Sequence, residues 1–429
     1  MFKHIRSRGL GRLAALLALT ALIAAGATAG SAVGKTHDTV TLRISLFGDF
    51  GYHYLYKLYE ASHPGITIQE DVQQYPDHHA NLAKHLATGA GADDIEAIDV
   101  GFIPQFKAEP QDFYDLRQFG ASSLKSRWLP WKWAQSIASN GAQIGFGTDV
   151  GGLAICYRRD LFKKAGLPAQ RDAVSKLWPT WQAFFATGVR FQAHAPKGVK
   201  FFDAGTNVFN AMVAQIDPAY YDKTGTKIIL AINKPLKAAW DQLMVAIAKG
   251  MDAGLNTFSP DWNTGYQKGT FATVTCPAWM MGYIQQQAPK TTGLWDVAAV
   301  PGGGGNWGGS FLTIPKQSQH AQEAYNLIKF LTSPAAEGYV FKHTGNLPSE
   351  PSLYHRADIV NFKNPFFHNA PVGKIFTTAA QDLRPQSSGP HHGDIQDIAV
   401  KNAIQRVEQH KQSPAQSWKQ LLNDVKAYQ

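Results

Sequence analysis

The sequence is poor in cysteine, in charge and in long apolar runs, and each shortage excludes a class of protein. Only Cys156 and Cys276 are present, so a scaffold of several disulfides is excluded. Charged residues make up 17% of the 429 residues and no Lys/Arg-rich cluster occurs, which argues against nucleic-acid binding. The apolar run Leu13–Ala25 is short for a membrane span, which needs about 20 residues, and no stop-transfer pattern follows it.

Common catalytic and nucleotide-binding motifs are missing as well. Neither G-x-S-x-G nor H-E-x-x-H occurs. Gly303, Gly305 and Gly308 satisfy G-x-G-x-x-G, but a β-like run follows them instead of the helix that would hold a pyrophosphate. A secreted glycosidase would need two carboxylates placed as acid and base or nucleophile, and their distance cannot be read from a sequence. We therefore expect no enzyme activity and no cofactor.

Fifteen histidines make a metal-binding receptor an alternative. They include the adjacent pairs His78-His79 and His391-His392. Adjacent side chains in a strand point to opposite faces, and in a helix their spacing is poor for chelating one ion. We therefore expect these histidines to be solvated at the surface, without a metal site.

Residues 1–32 have the composition of a secretory signal peptide. Four basic residues precede the apolar run, and the small residues Ala27-Thr28-Ala29 and Ser31-Ala32 follow it. Cleavage there would remove four basic residues and no acidic one, which lowers the formal net charge from +9 to +5. We expect an exported protein, extracellular or periplasmic and peripheral to the membrane. In such a protein Cys156 and Cys276 are candidates for one disulfide, and two buried free thiols in strands are the alternative.

The first part of the mature chain alternates strands with helices. Strands are expected at 40–46, 66–72 and 94–100, and helices at 52–63 and 77–88. This βαβαβ order predicts parallel strands with crossover helices, whose ligands bind beyond the carboxyl ends of the strands. Asp49 follows the first strand and Asp99 ends the third, so both are candidate ligand contacts. Helix capping or a solvated turn is the alternative role for each.

The stretch Trp295–Pro315 consists of two short predicted strands around a glycine-rich loop. The loop offers one amide, one indole and one hydroxyl, from Asn306, Trp307 and Ser310. A run of glycine is costly in backbone entropy, and one reason for it is close approach to the backbone. A flat indole beside polar groups suits a sugar ring, which has apolar faces and polar edges. The alternative is a flexible hairpin with Trp307 packed in the core.

A second α/β region fills most of the remaining chain. Helices are expected near 180–189, 206–215, 235–249, 261–268 and 319–331, with a strand at 270–276 that leads into Pro277-Ala278-Trp279. The tail from Gly393 to Tyr428 is predicted to be helical apart from a break at Ser413-Pro414.

Several blocks of the sequence, in this order, are similar to one family. They are VTLRISLFGDFGYHYLYKLYEASHPGITIQE, TDVGGLAICYRRDLFKKAGLP, PTWQAF, KGTFATVTCPAWMMGYI and WGGSFLTIPKQSQHAQEAYNLIKFLTSPAAEGYVFKHTGNLPS. The chain resembles the extracellular solute-binding proteins of carbohydrate ABC importers, the class that includes maltose-binding protein. Within that class it is most similar to actinobacterial cellobiose- and cello-oligosaccharide-binding proteins, chiefly through CPAWMMGYI and PGGGGNWGGSFL. Those relatives usually carry a lipobox cysteine, and this sequence has none.

The resemblance implies a two-lobed α/β fold with a hinge, of the periplasmic-binding-protein type II and like maltose-binding protein. It implies lobe one at 38–148 with 296–345, and lobe two at 149–295 with 346–429. It also implies a monomer that binds an oligosaccharide between the lobes and delivers it to an ABC permease. The ligand contacts expected from the resemblance and from the sequence patterns together are Asp49, Phe50, Asp99, Trp262, Trp279, Asn306, Trp307 and Arg384. Cellobiose or a cello-oligosaccharide is the expected ligand, with xylobiose, chitobiose or a maltodextrin as alternatives.

Overall fold

The computed structural model describes residues 39–381, 383 and 385–429. The predicted signal peptide at 1–32 and Arg384 lie outside the described residues. Eleven strands occur in the described part of the chain: β1 (Val40–Leu46), β2 (Ile66–Val72), β3 (Ile95–Asp99), β4 (Gly145–Gly147), β5 (Asp149–Val150), β6 (Leu153–Arg158), β7 (Lys200–Phe202), β8 (Phe271–Pro277), β9 (Trp295–Ala298), β10 (Ser310–Thr313) and β11 (Leu347–Pro348).

Helices connect these strands and form the carboxyl-terminal tail. They are α1 (His53–Ser62), α2 (Tyr75–Thr88), α3 (Ile103–Phe106), α4 (Pro130–Gln135), α5 (Arg159–Lys164), α6 (Arg171–Ser175), α7 (Trp181–His194), α8 (Gly205–Val213), α9 (Lys234–Ala248), α10 (Pro260–Lys268), α11 (Met280–Gln287), α12 (Ala321–Leu331), α13 (Pro334–Thr344), α14 (Ala357–Val360), α15 (Val372–Gln381), α16 (Lys401–Glu408) and α17 (Pro414–Asp424). A π-helical segment, Asp394–Val400, precedes α16. Short 3₁₀ turns occupy Pro110–Asp112, Leu116–Phe119, Ala121–Arg127, Pro289–Thr291, Pro351–His355 and Val425–Tyr428.

The first sheet has the strand order β2-β1-β3-β10-β4. Strand β1 pairs in parallel with β2 and with β3, which confirms the predicted βαβαβ unit. Strand β10 is antiparallel to both β3 and β4. Alternate residues of β1 point into the core, because Leu42, Ile44 and Leu46 are fully buried while Thr41 and Arg43 are exposed.

The second sheet has the strand order β7-β8-β6-β9. Along β6, Ile155 and Tyr157 join one hydrophobic core, while Ala154 and Cys156 join another on the opposite face. Both faces of this sheet are therefore buried under helices and loops. Cys156 on β6 and Cys276 on β8 form a disulfide with their Cα atoms 5.4 Å apart.

Three segments of chain cross between the two sheets, and we call them the crossing segments: 148–152, 299–309 and 345–350. Strands β5 and β11, from the first and third segments, pair antiparallel with each other. Strand β9 pairs with β6 in the second sheet, and the expected lobe boundary at 295/296 would cut it. We therefore propose that the second crossing begins after Ala298. In the described residues, no helix has the length and apolarity that crossing a membrane requires.

Candidate ligand-binding cleft

A cleft lies beside the crossing segments, between the end of β3 and the elements that follow β7 and precede α16. It begins at the carboxyl end of β3, as expected for ligand sites of parallel sheets. Its walls come from β3 and its following turn, α4, α8, the second crossing segment and the region before α16. The lining residues are Asp99, Val100, Gly101, Gln135, Asn210, Ala214, Asn306, Trp307, Gly308, Gln386, Ser388, His392 and Gln396.

Trp307 lines the cleft, and Trp279 contacts Trp307 although it is not itself among the lining residues. Both indoles are partly exposed, and their ring centroids lie 5.9 Å apart at an interplanar angle of 75°. The Nε1–H of Trp279 donates to the backbone carbonyl of Trp307 at 3.2 Å. The two predicted platform residues are therefore adjacent, although 28 positions separate them in the sequence. Two indoles at right angles present apolar faces in two directions.

Hydrogen bonds to the first crossing segment fix the glycine-rich loop around Trp307. The backbone N–H of Trp307 donates to the Gly151 carbonyl at 2.9 Å, and Asn306 Oδ1 accepts from the Gly151 N–H at 2.8 Å. A Cβ atom at Gly151 would lie 1.9 Å from the Trp307 carbonyl oxygen, so only glycine fits there. Asn306 Nδ2 also donates to the Gly308 carbonyl at 3.1 Å. The Asn306 amide thus anchors the loop with both of its polar atoms, and its expected contact with a ligand stays a prediction.

Phe258 is an aromatic residue of the site that sequence reasoning missed. Its ring lies 6.5 Å from Trp279 in a stacked arrangement and 6.4 Å from Tyr75 of α2, so it contacts both halves of the molecule. Its φ is +67°, a left-handed conformation that costs a non-glycine residue on the order of 1–3 kcal/mol. Such strain is concentrated at functional sites, but no sequence signal reports it.

Asp99 lines the cleft as the position at the end of a parallel strand predicts. Its Oδ1 accepts from the Gly101 N–H at 2.7 Å and from the Tyr75 hydroxyl at 3.3 Å. Burial raises the pKa of Asp99 to about 7, against the lowering effect of the Gly101 N–H. Asp397, on the π-helical segment of the other half, also raises the pKa of Asp99 by charge repulsion.

The expectation that the paired histidines are solvated was wrong for His78, His79 and His392. They are 1%, 2% and 5% exposed. His79 Nε2 accepts from the backbone N–H of Asp99 at 3.0 Å, and its Nδ1 lies 2.9 Å from the Tyr75 carbonyl, so it is the neutral tautomer with the proton on Nδ1. Burial lowers the pKa of His79 to about 3. The pair is buried because α2 packs on the first sheet with both rings directed inward.

Three buried polar atoms at the cleft have no hydrogen-bond partner in the described structure: Asn210 Oδ1, Gln135 Oε1 and His392 Nδ1. A buried polar atom without a partner costs on the order of 1–3 kcal/mol, so such atoms are rare unless a ligand or water completes them. Two of the three are obligate acceptors. The cleft therefore suits a ligand that donates hydrogen bonds.

Other expected contacts lie away from these lining residues. Asp49 is exposed, and its Oδ1 accepts from the Gly51 N–H at 2.8 Å in the turn before α1. Phe50 is 6% exposed and packs edge-on against Phe47, with ring centroids 5.2 Å apart. Trp262 is fully buried, and its Nε1–H donates to Asp203 Oδ2 at 2.7 Å. We leave Phe50 and Trp262 out of the proposed site, and Arg384 is outside the described residues.

No group of three or more histidine, cysteine or carboxylate side chains is arranged to hold a metal ion within the described residues. The arrangement of indoles and acceptors is suited to binding a neutral polar molecule.

Comparison with known proteins identifies the family of this chain. Residues 55–365 match the family model described as bacterial extracellular solute-binding protein. An arabinooligosaccharide-binding protein of Bacillus subtilis (strain 168) is 26% identical over 336 residues, which cover 73% of this chain and 74% of the relative. A crystal structure of an extracellular solute-binding protein of family 1 is 42% identical, with a TM-score of 0.77 over 90% of this chain and 99% of that one.

A second solved structure is a binding protein associated with an ABC transporter of B. animalis subsp. lactis Bl-04, in complex with β-1,6-galactobiose. Its TM-score is 0.78 at 19% identity, with 91% of this chain and 97% of that one covered, so it bears on the fold alone. These likenesses confirm the two-lobed α/β fold expected from the sequence. The chain belongs to the bacterial extracellular solute-binding protein family, whose members are binding proteins rather than enzymes.

Proposed function

We propose that this protein captures a short oligosaccharide in the cleft between its two lobes and presents it to the permease of a carbohydrate ABC importer. The observation that carries the proposal is the pair of partly exposed indoles, Trp279 and Trp307, beside unpartnered acceptors of the cleft. Indole faces cover the C–H surfaces of a sugar, while acceptors bind its hydroxyls. Both are needed, because a buried hydroxyl without a partner lowers affinity.

Cellobiose or a cello-oligosaccharide is the proposed ligand, supported by the resemblance of the CPAWMMGYI and PGGGGNWGGSFL blocks. Arabino-oligosaccharides are the second candidate, because the Bacillus subtilis relative that covers 73% of this chain is named for them. A dissociation constant near 1 μM corresponds to about 8 kcal/mol of binding free energy. A few stacked rings and hydrogen bonds to carboxylates supply that amount.

Lobe closure is the step that connects binding with transport in this proposal. We propose lobe one at 38–148 with 296–345 and lobe two at 149–295 with 346–429, apart from the adjustment at β9. Sugar binding closes the lobes about the crossing segments, and the closed form is the one that the permease recognises. The protein would act as an exported monomer after removal of residues 1–32. Light scattering behind a sizing column tests the monomer, and amino-terminal sequencing of the secreted protein tests the cleavage.

Isothermal titration calorimetry tests the ligand directly. The mature chain is titrated with cellobiose, cellotriose, xylobiose, chitobiose, maltose, arabinobiose and β-1,6-galactobiose. We expect micromolar binding of at least one, with cellobiose or cellotriose the tightest. A lower dissociation constant for arabinobiose than for the cello-oligosaccharides would favour the second candidate. Absence of binding to every sugar, with a melting temperature that none of them raises, would reject the proposed function.

A further inference from the structure

The hydroxyl of Tyr75 lies between two carboxylates from opposite halves of the molecule. It is 3.3 Å from Asp99 Oδ1, at the end of β3, and 3.0 Å from Asp397 Oδ2, on the π-helical segment. A phenol has one hydrogen to donate, so it satisfies only one of the two oxygens at a time. Asp99 Oδ1 also accepts from the Gly101 N–H. An ionised carboxylate has about four acceptor sites, so both carboxylates keep sites for donors of a ligand.

The charged neighbours of these carboxylates lie on both sides of the cleft. Lys132 and Asp149 act on Asp99 from the first half and the first crossing segment. Lys401 and Asp394 act on Asp397 from its own helical region. The attraction of each lysine is offset by a nearby aspartate, and burial raises the pKa of both carboxyl groups.

The surroundings add further acceptors on the same walls of the cleft. Asn210 Oδ1 and Gln135 Oε1 are buried and without a partner in the described structure. The Gln396 amide donates to Asp397 Oδ1 at 3.2 Å, which leaves Asp397 Oδ2 to the bridge with Tyr75. Tyr75, Asp99 and Asp397 are each partly exposed, and Asp99 lines the cleft.

We propose that Tyr75, Asp99 and Asp397 form a two-sided recognition centre, which takes two donor hydroxyls of a sugar ring and holds the lobes together around it. This inference rests on the proposed function and adds residues and a binding mode that the indoles do not supply. A pair of neighbouring hydroxyls gives one hydrogen to each carboxylate. The Tyr75 hydroxyl, the Gly101 N–H and the Gln396 amide remain the protein's own donors to the two carboxylates.

This centre distinguishes sugars by whether they carry both hydroxyls. A sugar that lacks one of the two hydroxyls makes one hydrogen bond fewer to a largely desolvated carboxylate, which lowers affinity on the order of tenfold or more. It also sets the lifetime of the complex, because Asp99 and Asp397 belong to different lobes and a shared ligand joins them. Loss of either side is expected to accelerate dissociation more than it slows association.

Calorimetry with deoxy sugars tests the centre. The probe is the tightest neutral disaccharide of the panel, together with its monodeoxy analogues, against the wild type, Asp397→Ala and Tyr75→Phe. In the wild type at least one monodeoxy analogue should bind tenfold or more weakly than the parent sugar. Asp397→Ala should bind the parent tenfold or more weakly, and the penalty for the same analogue should shrink to less than about threefold. Tyr75→Phe should raise the dissociation rate at least threefold in stopped-flow tryptophan fluorescence.

Two substitutions of the same chemistry serve as controls. Tyr54→Phe removes a hydroxyl from a side chain that is 50% exposed, and Asp241→Asn removes a charge from an exposed ion pair on α9. Both should bind like the wild type, and circular dichroism should show every variant folded. Equal deoxy penalties in Asp397→Ala and the wild type would overturn the centre while leaving the proposed function intact. Failure of the wild type to bind any sugar would reject the proposed function itself, and this inference with it.

Discussion

Trp279 and Trp307 show how single residues of the cleft depend on contacts that are distant in sequence. Each indole is partly exposed, and each also packs against a different hydrophobic core of the second sheet. Gly308 permits their approach, because a Cβ atom there would lie 2.7 Å from Trp279 Nε1. The rings are therefore fixed before a ligand arrives, which lowers the entropy cost of binding.

Replacing either tryptophan with alanine should weaken sugar binding at least tenfold, which corresponds to about 1.4 kcal/mol. The reason is the loss of an apolar face against the sugar, together with the loss of the contact between the two rings. Calorimetry with the tightest sugar of the panel measures the change. Trp418→Ala is the matched control, because Trp418 packs on Trp240, 5.2 Å away, outside the cleft. If both cleft variants keep full affinity, the indoles do not contact the sugar.

Among the structural elements, the first crossing segment contacts both the second and the third crossing segment. Its strand β5 pairs with β11, and its Gly151 exchanges hydrogen bonds with Asn306 and Trp307. Asp149 accepts from the Ser310 N–H at 2.9 Å. Burial raises the pKa of this carboxyl, and the charge of Lys132 opposes that shift. The three crossing segments are therefore joined to one another by hydrogen bonds.

Gly151→Ala should lower the free energy of unfolding by 2 kcal/mol or more, a magnitude typical of overpacking, of order 1–3 kcal/mol. The new methyl group would meet backbone atoms of Trp307, which cannot rotate away as a side chain would. The shifted loop should also bind sugar less tightly. Urea unfolding and calorimetry measure both effects. Gly338→Ala is the control, since its nearest neighbour would be an ordinary 3.5 Å away within α13, and it should be neutral or slightly stabilising. Equal stability of the two variants would contradict the prediction.

The disulfide joins two neighbouring strands, β6 and β8, across 120 positions of sequence. The double substitution Cys156→Ala with Cys276→Ala should lower the free energy of unfolding by about 2–4 kcal/mol, because the unfolded chain regains the freedom of a long loop. Sugar affinity should stay within about twofold, since neither cysteine lines the cleft. Urea unfolding of the variant and of the oxidised wild type makes the comparison. Unchanged stability would mean that the bridge does not constrain the unfolded chain.

For the whole molecule, buried ionisable groups make stability depend on pH. Burial raises the pKa of Glu96, on β3, to about 8, and its neighbour His78 has a pKa lowered by burial. The 3.8 Å contact between His78 Nε2 and Glu96 Oε2 therefore joins two neutral groups. The contributions of His78 and His79 to the free energy of unfolding decrease as the pH falls below 6.5. Below that pH the unfolded histidines bind protons, while the buried native rings stay neutral. Burial lowers the pKa of Lys132 to about 8, so this lysine changes the pH dependence of stability only above pH 8.

Between pH 6.5 and 8 the stability should fall as pH rises. In this window the unfolded chain has Glu96 ionised, since its ordinary pKa is about 4.3, while the native state keeps it protonated. The native state therefore binds more protons, and its stability decreases on the order of 1 kcal/mol per pH unit. Urea unfolding without ligand at four pH values measures the slope. Glu96→Gln should reduce the slope by the contribution of one group, because burial also raises the pKa values of Glu337 and Asp252. Glu109→Gln, at an exposed position, should leave the slope unchanged. A stability that rises across this window would contradict the assignment.

The sequence alone was sufficient for the elements and much of the fold. Alternation in β1, helical spacing in α1 and the order of strands and helices predicted a parallel βαβαβ unit, and helical spacing also predicted α12, because these patterns are local. Asp99 and Trp307 were also predicted from local patterns, the end of a parallel strand and a side chain in a glycine loop. Both line the cleft, and their contact with a ligand stays a prediction.

The tertiary structure decided which residues share the cleft. Asn210 lines the cleft, and Tyr75 beside it contacts Asp99, Asp397 and Phe258. These residues come from distant segments of the chain, so their contacts depend on tertiary packing. Trp262 has the same side chain as Trp279, yet helix packing buries it while a turn after β8 exposes the other. Periodicity reports which face of an element is apolar, but the partner of that face is set by long-range packing, which no local pattern encodes.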